Sequence, residues 1–471
     1  MGMSYASKRQ TLYNQVLERM SRVNLHSKSE IRIITDRMMA AEFEKTFYSN
    51  HKFALNQFAT PPFDLSLRVI SGNIFKGVMV TGYAISRVLM NFERKRHQLP
   101  DCLVYGLPDD IIKGNTSSKD LRDFLAFYLA QLRGEPPVNI LVQSRTPKEF
   151  QSIEGVRYVR DIGIALLDFA NERKLNLVAQ ILKNFFKWLF SALSRPEITF
   201  AGREYIIDSI VADYKLGCQV KYLVSTQSMM LCLPSTFDRL PEAIKIMFWY
   251  SDNSQQIRAT DFDLQETIDY TYLQEDSINL HFVWTESWAA LLRKHTRAEV
   301  KAIGPIIFRQ IGVHPLEANN GSKPLKFLIF DVTPKQALSE GSNFYTEKNV
   351  MGFVSDILAT LKLMPIDFNI DLKPKRPYTK MDSKKYIEFL DANSSQLKLL
   401  SPIQDIPNLI ENYDFVICIP FTSPAIIARH LGVGTLYYSP TGDFHLGQMY
   451  EDIPVIVGCD ALLKELTSFL L

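Results

Sequence analysis

Cysteine is scarce, with five in 471 residues (Cys102, Cys218, Cys232, Cys418 and Cys459) and none at CxxC spacing. That spacing excludes a zinc ribbon or a disulfide framework, and Cys102 and Cys418, inside apolar runs, read as reduced core thiols. A charge imbalance is also missing: 53 Lys plus Arg face 51 Asp plus Glu, a formal net charge of +2. A nucleic-acid partner held by a global positive field is therefore not expected. No HExxH and no Cys/His cluster at ligand spacing occurs, and the adjacent acids in YLQEDSIN and PDD carry no metal pattern, so neither metal nor cofactor is expected. Repeats, heptad arrays and low-complexity tracts are absent. The N-terminal MGMSYASKRQTLYNQVLERM lacks the continuous apolar core of a signal peptide, which predicts a cytoplasmic protein.

What is present is apolar mass in short runs. Apolar residues make up 46% of the chain and charged residues 22%, enough to bury large cores, and the length suits two large domains. CLVYG (102–106), NILVQS (139–144), VKYLVST (220–226), IKIMFWYSDNS (244–254) and INLHFVWTES (278–287) alternate with helical spacing, and EVKAIGP (299–305) closes the series. After a Gly-, Pro- and Asn-rich connection, IIFRQIGVHPLEANNGSKP, the alternation restarts with KFLIFDVTP (326–334) and runs to a closing helix in ALLKELTSFLL. Alternating strands and helices predict parallel sheets covered on both faces. The fold class is therefore α/β, with two doubly wound Rossmann-like domains, 1–310 and 311–471, and a cleft between them.

LNLVAQILKNFFKWLFSAL (175–193) stands apart. It is strongly apolar, yet Asn176, Gln180, Lys183, Asn184 and Lys187 interrupt it, so it does not meet the roughly 20 uninterrupted apolar residues of a spanning helix. Two readings stay open. One is a helix lying in the membrane surface, with Lys183 and Lys187 toward headgroups and Phe186, Trp188, Leu189 and Phe190 inward. The other is a buried helix whose lysines snorkel out.

Ligands of open α/β sheets bind where strands end and helices begin. In the second half those places are Asp331-Val332-Thr333-Pro334, Lys373-Pro374-Lys375-Arg376-Pro377, Ser401-Pro402, Pro420-Phe421-Thr422-Ser423 and Ser439-Pro440-Thr441-Gly442-Asp443. Ser423 before Pro424 reads as a helix start with Ser423 as its cap. Capping leaves Pro420 and Thr422 unexplained, and a fixed turn with an added hydroxyl beside a helix amino end suits an anion. Lys373, Lys375 and Arg376 sit in a proline-stiffened loop, where cations can be held for phosphate contacts rather than left as a solvated run. Together the two loops, read as lying on neighbouring strand ends, suit a diphosphate or phosphodiester.

The tetrapeptide Pro-Phe-Thr-Ser at 420–423, set in strand–PFTSP–helix–LGV–strand–YYSP and preceded by FDVTP at 330–334, resembles the bacterial polysaccharide-biosynthesis family named after its PFTS motif. The resemblance is most specific across about 325 to 440 and is architectural before that. It implies a two-domain GT-B glycosyltransferase, similar to sialyltransferase-like and Kdo-transferase-like enzymes. The first domain would take the acceptor, and the second would bind a nucleotide-sugar donor through Lys373, Lys375, Arg376, Thr422, Ser423, Thr333 and Ser401. The acceptor implied is a bacterial surface polysaccharide or lipid-linked glycan, placing the protein peripherally on the inner membrane through 175–193. Those relatives hold the donor with a His-Pro dipeptide where this chain has Lys375-Arg376-Pro377, and its only His-Pro, His314-Pro315, lies in the connection. The departure leaves CMP-, UDP- and GDP-sugars all open.

An inverting transfer needs a general base facing the donor. Asp252, in a polar turn after Phe248, Trp249 and Tyr250, is the first candidate and Glu286 the second, with Asp109 and Asp110 also following a strand. A helix cap or solvated turn is the plainer explanation of each acid. Two other activities fit the same scaffold: a hydrolysing nucleotide-sugar epimerase using His430, and a non-catalytic nucleotide- or glycan-binding partner in an assembly complex.

Overall fold

The fully buried runs of the sequence become strands because a parallel sheet hides both faces of each strand from water. The computed structural model describes residues 67–90, 99–107, 117–167, 174–208, 220–226, 233–249, 277–309, 324–334, 345–442 and 453–470, apart from a few positions inside these stretches, among them Lys375, Arg376 and Phe421. Asp252, Asp109 and Asp110 also lie outside the described residues.

In the first half, α1 (Leu67–Met90) precedes β1 (Cys102–Tyr105), α2 (Ser118–Arg133), β2 (Ile140–Gln143), β3 (Val156–Val159), α3 (Ile162–Leu166) and α4 (Lys174–Ser194). There follow β4 (Tyr222–Ser225), α5 (Thr236–Arg239), β5 (Ile244–Phe248), β6 (Leu280–Val283), α6 (Glu286–Leu292) and β7 (Glu299–Ala302). The strands form one sheet in the order β3-β2-β1-β4-β5-β6-β7, with β1 to β6 paired in parallel. Beside the sheet, α1 and α4 pack with Tyr205, Ile206 and Ile207 around Trp188 as a separate helical core. Trp188 donates its Nε1 proton to the Ile198 carbonyl at 2.9 Å. A Cβ at Gly77 of α1 would overlap the Trp188 ring, and one at Gly202 would lie 2.7 Å from it. The indole is thus clamped between two glycines. It belongs to the core, and the expectation that it faces lipid beside Phe186 and Phe190 is corrected.

The second half runs β8 (Leu325–Phe330), α7 (Glu347–Lys362), β9 (Phe368–Lys373), α8 (Lys384–Ala392), β10 (Lys398–Leu399) and α9 (Ile406–Ile410). It continues with β11 (Phe415–Cys418), α10 (Ser423–His430), β12 (Gly434–Ser439), β13 (Val455–Val457) and α11 (Cys459–Leu470). The sheet order is β10-β9-β8-β11-β12-β13, parallel throughout. Counted from its own first strand this is 3-2-1-4-5-6, the doubly wound order, whose direction reverses between β8 and β11. The helix α7 buries Val350, Phe353, Val354, Ile357, Leu358 and Leu361, an i, i+3, i+4, i+7 stripe. That stripe lies on Phe327, Ile329, Ile417 and Tyr438 of the sheet.

Two compact units result. The second holds residues from Ala302 onward together with Val283–Leu291, and the first holds most of the chain before them. The start of the connection is fixed on the second unit: Gly304 takes a positive φ of 84°, and Arg309 is ion-paired to Asp405, both largely buried.

Candidate functional site

Parallel strands all end on the same edge, and register makes that edge level. Phe330 at the end of β8 pairs with Lys373 of β9 on one side and with Cys418 of β11 on the other. The segments that begin at Asp331, Pro374 and Ile419 therefore start from one rim. The expectation that the basic loop and the PFTS turn follow neighbouring strands is corrected here: β8 lies between β9 and β11, so the two loops flank the loop of Asp331 and Thr333. Strand spacing of roughly 4.8 Å puts β9 and β11 about 10 Å apart, a span suited to a nucleotide diphosphate.

The PFTS turn is held by its carbonyls. Tyr345 donates its hydroxyl to Pro420 O at 2.9 Å, Tyr437 of β12 donates to Thr422 O at 3.0 Å, and Thr422 Oγ1 donates to Ile419 O at 3.0 Å. Burial raises the Tyr345 pKa far above its ordinary value, so that hydroxyl remains a donor. The Pro420 and Thr422 carbonyls are thereby both satisfied within the fold.

Helix capping makes the difference measurable. Ser117, Asp161, Thr346, Ser383 and Asp405 each cap their helix, the side chain accepting from the N3 amide. At α10 the cap residue is Thr422, extended at φ −102°, and it makes no side-chain cap bond. Ser423 is therefore the first helical residue rather than the cap expected for it, with Pro424 next. Pro424 has no amide proton and the Ala425 amide donates to the Thr422 carbonyl at 3.3 Å, which leaves the Ser423 amide and the positive dipole end at the start of α10. The Ser423 hydroxyl is half-buried and has no hydrogen-bond partner among the described residues. On the adjoining β8 loop the Thr333 hydroxyl is buried and also without a partner among the described residues. For the buried Thr333 the missing partner costs on the order of 1–3 kcal/mol, and a ligand oxygen would relieve that.

Lys373 behaves otherwise. It is buried, donates its Nζ to the Pro402 carbonyl at 2.9 Å, and burial lowers its pKa, opposed by Asp331 and Asp405. The structure places it as a tie between the β9 end and the β10 loop. Ser401, on that same loop, is exposed. Asp331, buried at the end of β8, accepts from the Tyr386 hydroxyl. Tyr345, Tyr386 and Tyr437 order this rim, and no local motif in the sequence announced them. Their polar tips are visible as functional only once the strand ends are level.

In the first half, Trp249 is buried rather than offered to a sugar, and its Nε1 donates to His281 Nδ1 at 3.1 Å. Glu286 is exposed in the first turn of α6, behind a Thr285 whose hydroxyl accepts from Trp288 N at 3.2 Å. An acid there suits the helix dipole as well as catalysis. His430 closes α10 just before β12 begins, at the opposite end of that helix from the PFTS turn. It stands beside Gly304, where a Cβ would come within 3.1 Å of its ring.

The sequence matches the family model described as polysaccharide biosynthesis PFTS motif protein over residues 229–466. No curated protein matches the chain. Among solved structures, the chain is similar to the wall teichoic acid polymerase TagF, with 11% identity over 86% of this chain and 89% of that one and a TM-score of 0.42. It is also similar to the lipopolysaccharide outer core galactosyltransferase WaaB, with 8% identity over 78% and 88% and a TM-score of 0.36.

Proposed function

The chain belongs to the polysaccharide biosynthesis PFTS motif family, and on that premise we propose that it is a GT-B glycosyltransferase. It moves a sugar from a nucleotide-activated donor, CMP- or NDP-linked, to a bacterial surface polysaccharide or lipid-linked glycan, with peripheral attachment at the inner membrane. The observation that carries the donor site is the amino end of α10, which its Thr422 side chain leaves uncapped, together with the Ser423 hydroxyl and the buried Thr333 hydroxyl, neither of which has a partner among the described residues.

In this reading the Ser423 amide at the start of α10 and the two hydroxyls receive the donor phosphates, and Lys375 and Arg376 close on them from the β9 side. These groups stabilise the charge that develops on the leaving nucleotide, so the transfer runs without metal. Asp252, or else Glu286, takes the acceptor hydroxyl proton as the new bond forms on the opposite face of the sugar, giving inversion. Lys373 supports the loop without touching phosphate. An epimerase on this scaffold needs a histidine at the sugar, and His430 stands at the wrong end of α10.

A melting screen of CMP, UDP and GDP with EDTA present tests the donor site: at saturating nucleotide one of them raises the melting temperature. No shift with any nucleotide sinks the reading. With the responding nucleotide's sugar as donor, Asp252→Asn or Glu286→Gln lowers turnover by about a hundredfold or more while the melting shift persists. If both variants keep full turnover, the assignment of the base fails, and if the wild type never turns over, a binding partner is the better description.

A further inference from the structure

The helix α4 carries two apolar stripes rather than one. Leu177, Ile181, Trp188 and Ala192 make the first and are buried. Leu175, Leu182, Phe186, Phe190 and Leu193 make the second, on the opposite side, and they are exposed, Phe190 by 67% and Leu193 by 68%. Its neighbour α1 repeats the arrangement, with Gly77, Thr81, Ala84 and Val88 inward and Phe75, Met79, Tyr83 and Met90 outward, Phe75 by 64%. Both inner stripes serve one core, so both outer stripes face away from it. A helix on a water-soluble surface needs only its inner stripe, and a second one marks a surface that something covers.

Charge says what covers it. Neither helix contains an acidic residue, while Arg68, Lys76, Lys183 and Lys187 are exposed on them. Lys187 also lies over the Tyr205 ring, 5.6 Å from its centroid. A second copy of the chain would bring the same cations against these, which like charges resist. A layer of anionic headgroups over hydrocarbon complements both the charge and the apolar stripe. No helix among the described residues is long and apolar enough to cross a membrane, so the fit is in the plane of the surface.

We propose that α1 and α4 together form a docking surface for anionic lipid, with Phe75, Met79, Phe186 and Phe190 entering the acyl boundary and Arg68, Lys76, Lys183 and Lys187 meeting phosphate headgroups. This deepens the peripheral-attachment part of the transferase reading and uses none of the nucleotide-site residues.

Flotation of the full-length protein with vesicles tests it. The protein floats with phosphatidylcholine vesicles containing phosphatidylglycerol and about tenfold less with phosphatidylcholine alone. A variant carrying Phe75→Ser, Met79→Ser, Phe186→Ser and Phe190→Ser loses flotation while its melting temperature and nucleotide response stay at wild-type values. Phe127→Ser, at an exposed phenylalanine of α2 outside the patch, changes nothing. In a second measurement, Phe190→Trp is quenched by brominated acyl chains in anionic vesicles. The proposal is overturned if the wild type does not float, if it floats equally with both vesicles, or if the fourfold variant still floats. It is also overturned if the wild type proves a dimer that the fourfold variant splits without any vesicle binding. Vesicle binding without any nucleotide response would retain this surface and discard the transferase reading.

Discussion

Thr422 donates its hydroxyl to the Ile419 carbonyl, 3.0 Å away, and the helix it precedes goes uncapped. The residue that could have satisfied an amide of α10 secures the end of β11 instead. This trade predicts separate effects for the hydroxyls of the rim. Ser423→Ala and Thr333→Ala each weaken nucleotide affinity by about 1 kcal/mol, roughly fivefold, with little change in the unliganded melting temperature. Thr422→Val removes the turn's internal bond and costs about 1 kcal/mol of stability before any ligand is added. Melting curves with and without nucleotide separate the two effects.

The three cations after β9 are predicted to divide in the same way. Lys373→Met breaks the bond to the Pro402 carbonyl, leaves that carbonyl unmet, and lowers stability by about 1–3 kcal/mol in urea unfolding. Lys375→Ala and Arg376→Ala keep the wild-type urea midpoint and weaken nucleotide binding by about tenfold, since a phosphate contact from a cation contributes about 1.5–3 kcal/mol. If Lys373→Met instead keeps its stability and loses nucleotide, the tie to Pro402 does not describe its role.

The buried His281 gives the fold an acid limit. Desolvation lowers its pKa from 6.5 to about 3, so the folded protein holds it neutral where the unfolded chain takes up a proton. The stability it permits is complete above pH 6.5 and is lost progressively as the pH falls toward 3. By pH 5 the loss from this one group is about 2 kcal/mol. His281→Gln, which keeps an acceptor for the Trp249 indole, flattens that part of the curve of urea stability against pH.

Close packing of the helical core is checked at Gly77. A methyl there meets the Trp188 ring, and Gly77→Ala is predicted to cost about 1–3 kcal/mol as the helices shift apart. Trp188→Ala leaves a cavity instead and costs about 3–5 kcal/mol. Chemical denaturation followed by circular dichroism reads both. A neutral Gly77→Ala would mean that the indole has room to move.

How much of this was legible beforehand follows from what each signal depends on. FVIC and CLVY announce strands because each residue in them is buried, and burial on both faces leaves an unbroken apolar run. VRYV at β3 and VIV at β13 passed unnoticed: Arg157 interrupts the first, and the second is short and partly exposed. Strand order has no local signal, which is why the basic loop and the PFTS turn read as neighbours although β8 separates them. Lys373 looked like its companions because its partner, the Pro402 carbonyl, is 29 residues away. In α4 the two stripes interleave at an offset of two positions, so apolar content alone does not tell Trp188, which is core, from Phe186 and Phe190, which are surface. The PFTS turn was readable as a helix start, but the reversal of its hydroxyl toward Ile419 is tertiary geometry.

Because all strands of the second sheet run the same way, its hydrophobic framework and its chemistry occupy different parts of the chain. The interior of β8, β11 and β12 sets how the domain folds, while the segments leaving the rim are held to it by a few single hydrogen bonds, such as Tyr437 to the Thr422 carbonyl and Lys373 to the Pro402 carbonyl. Exchanging the residues after β9 or β12 would then alter which ligand is accepted without requiring the sheet to repack. A domain built this way can diversify its choice of donor through a handful of substitutions, each tolerated by a scaffold that does not register the change.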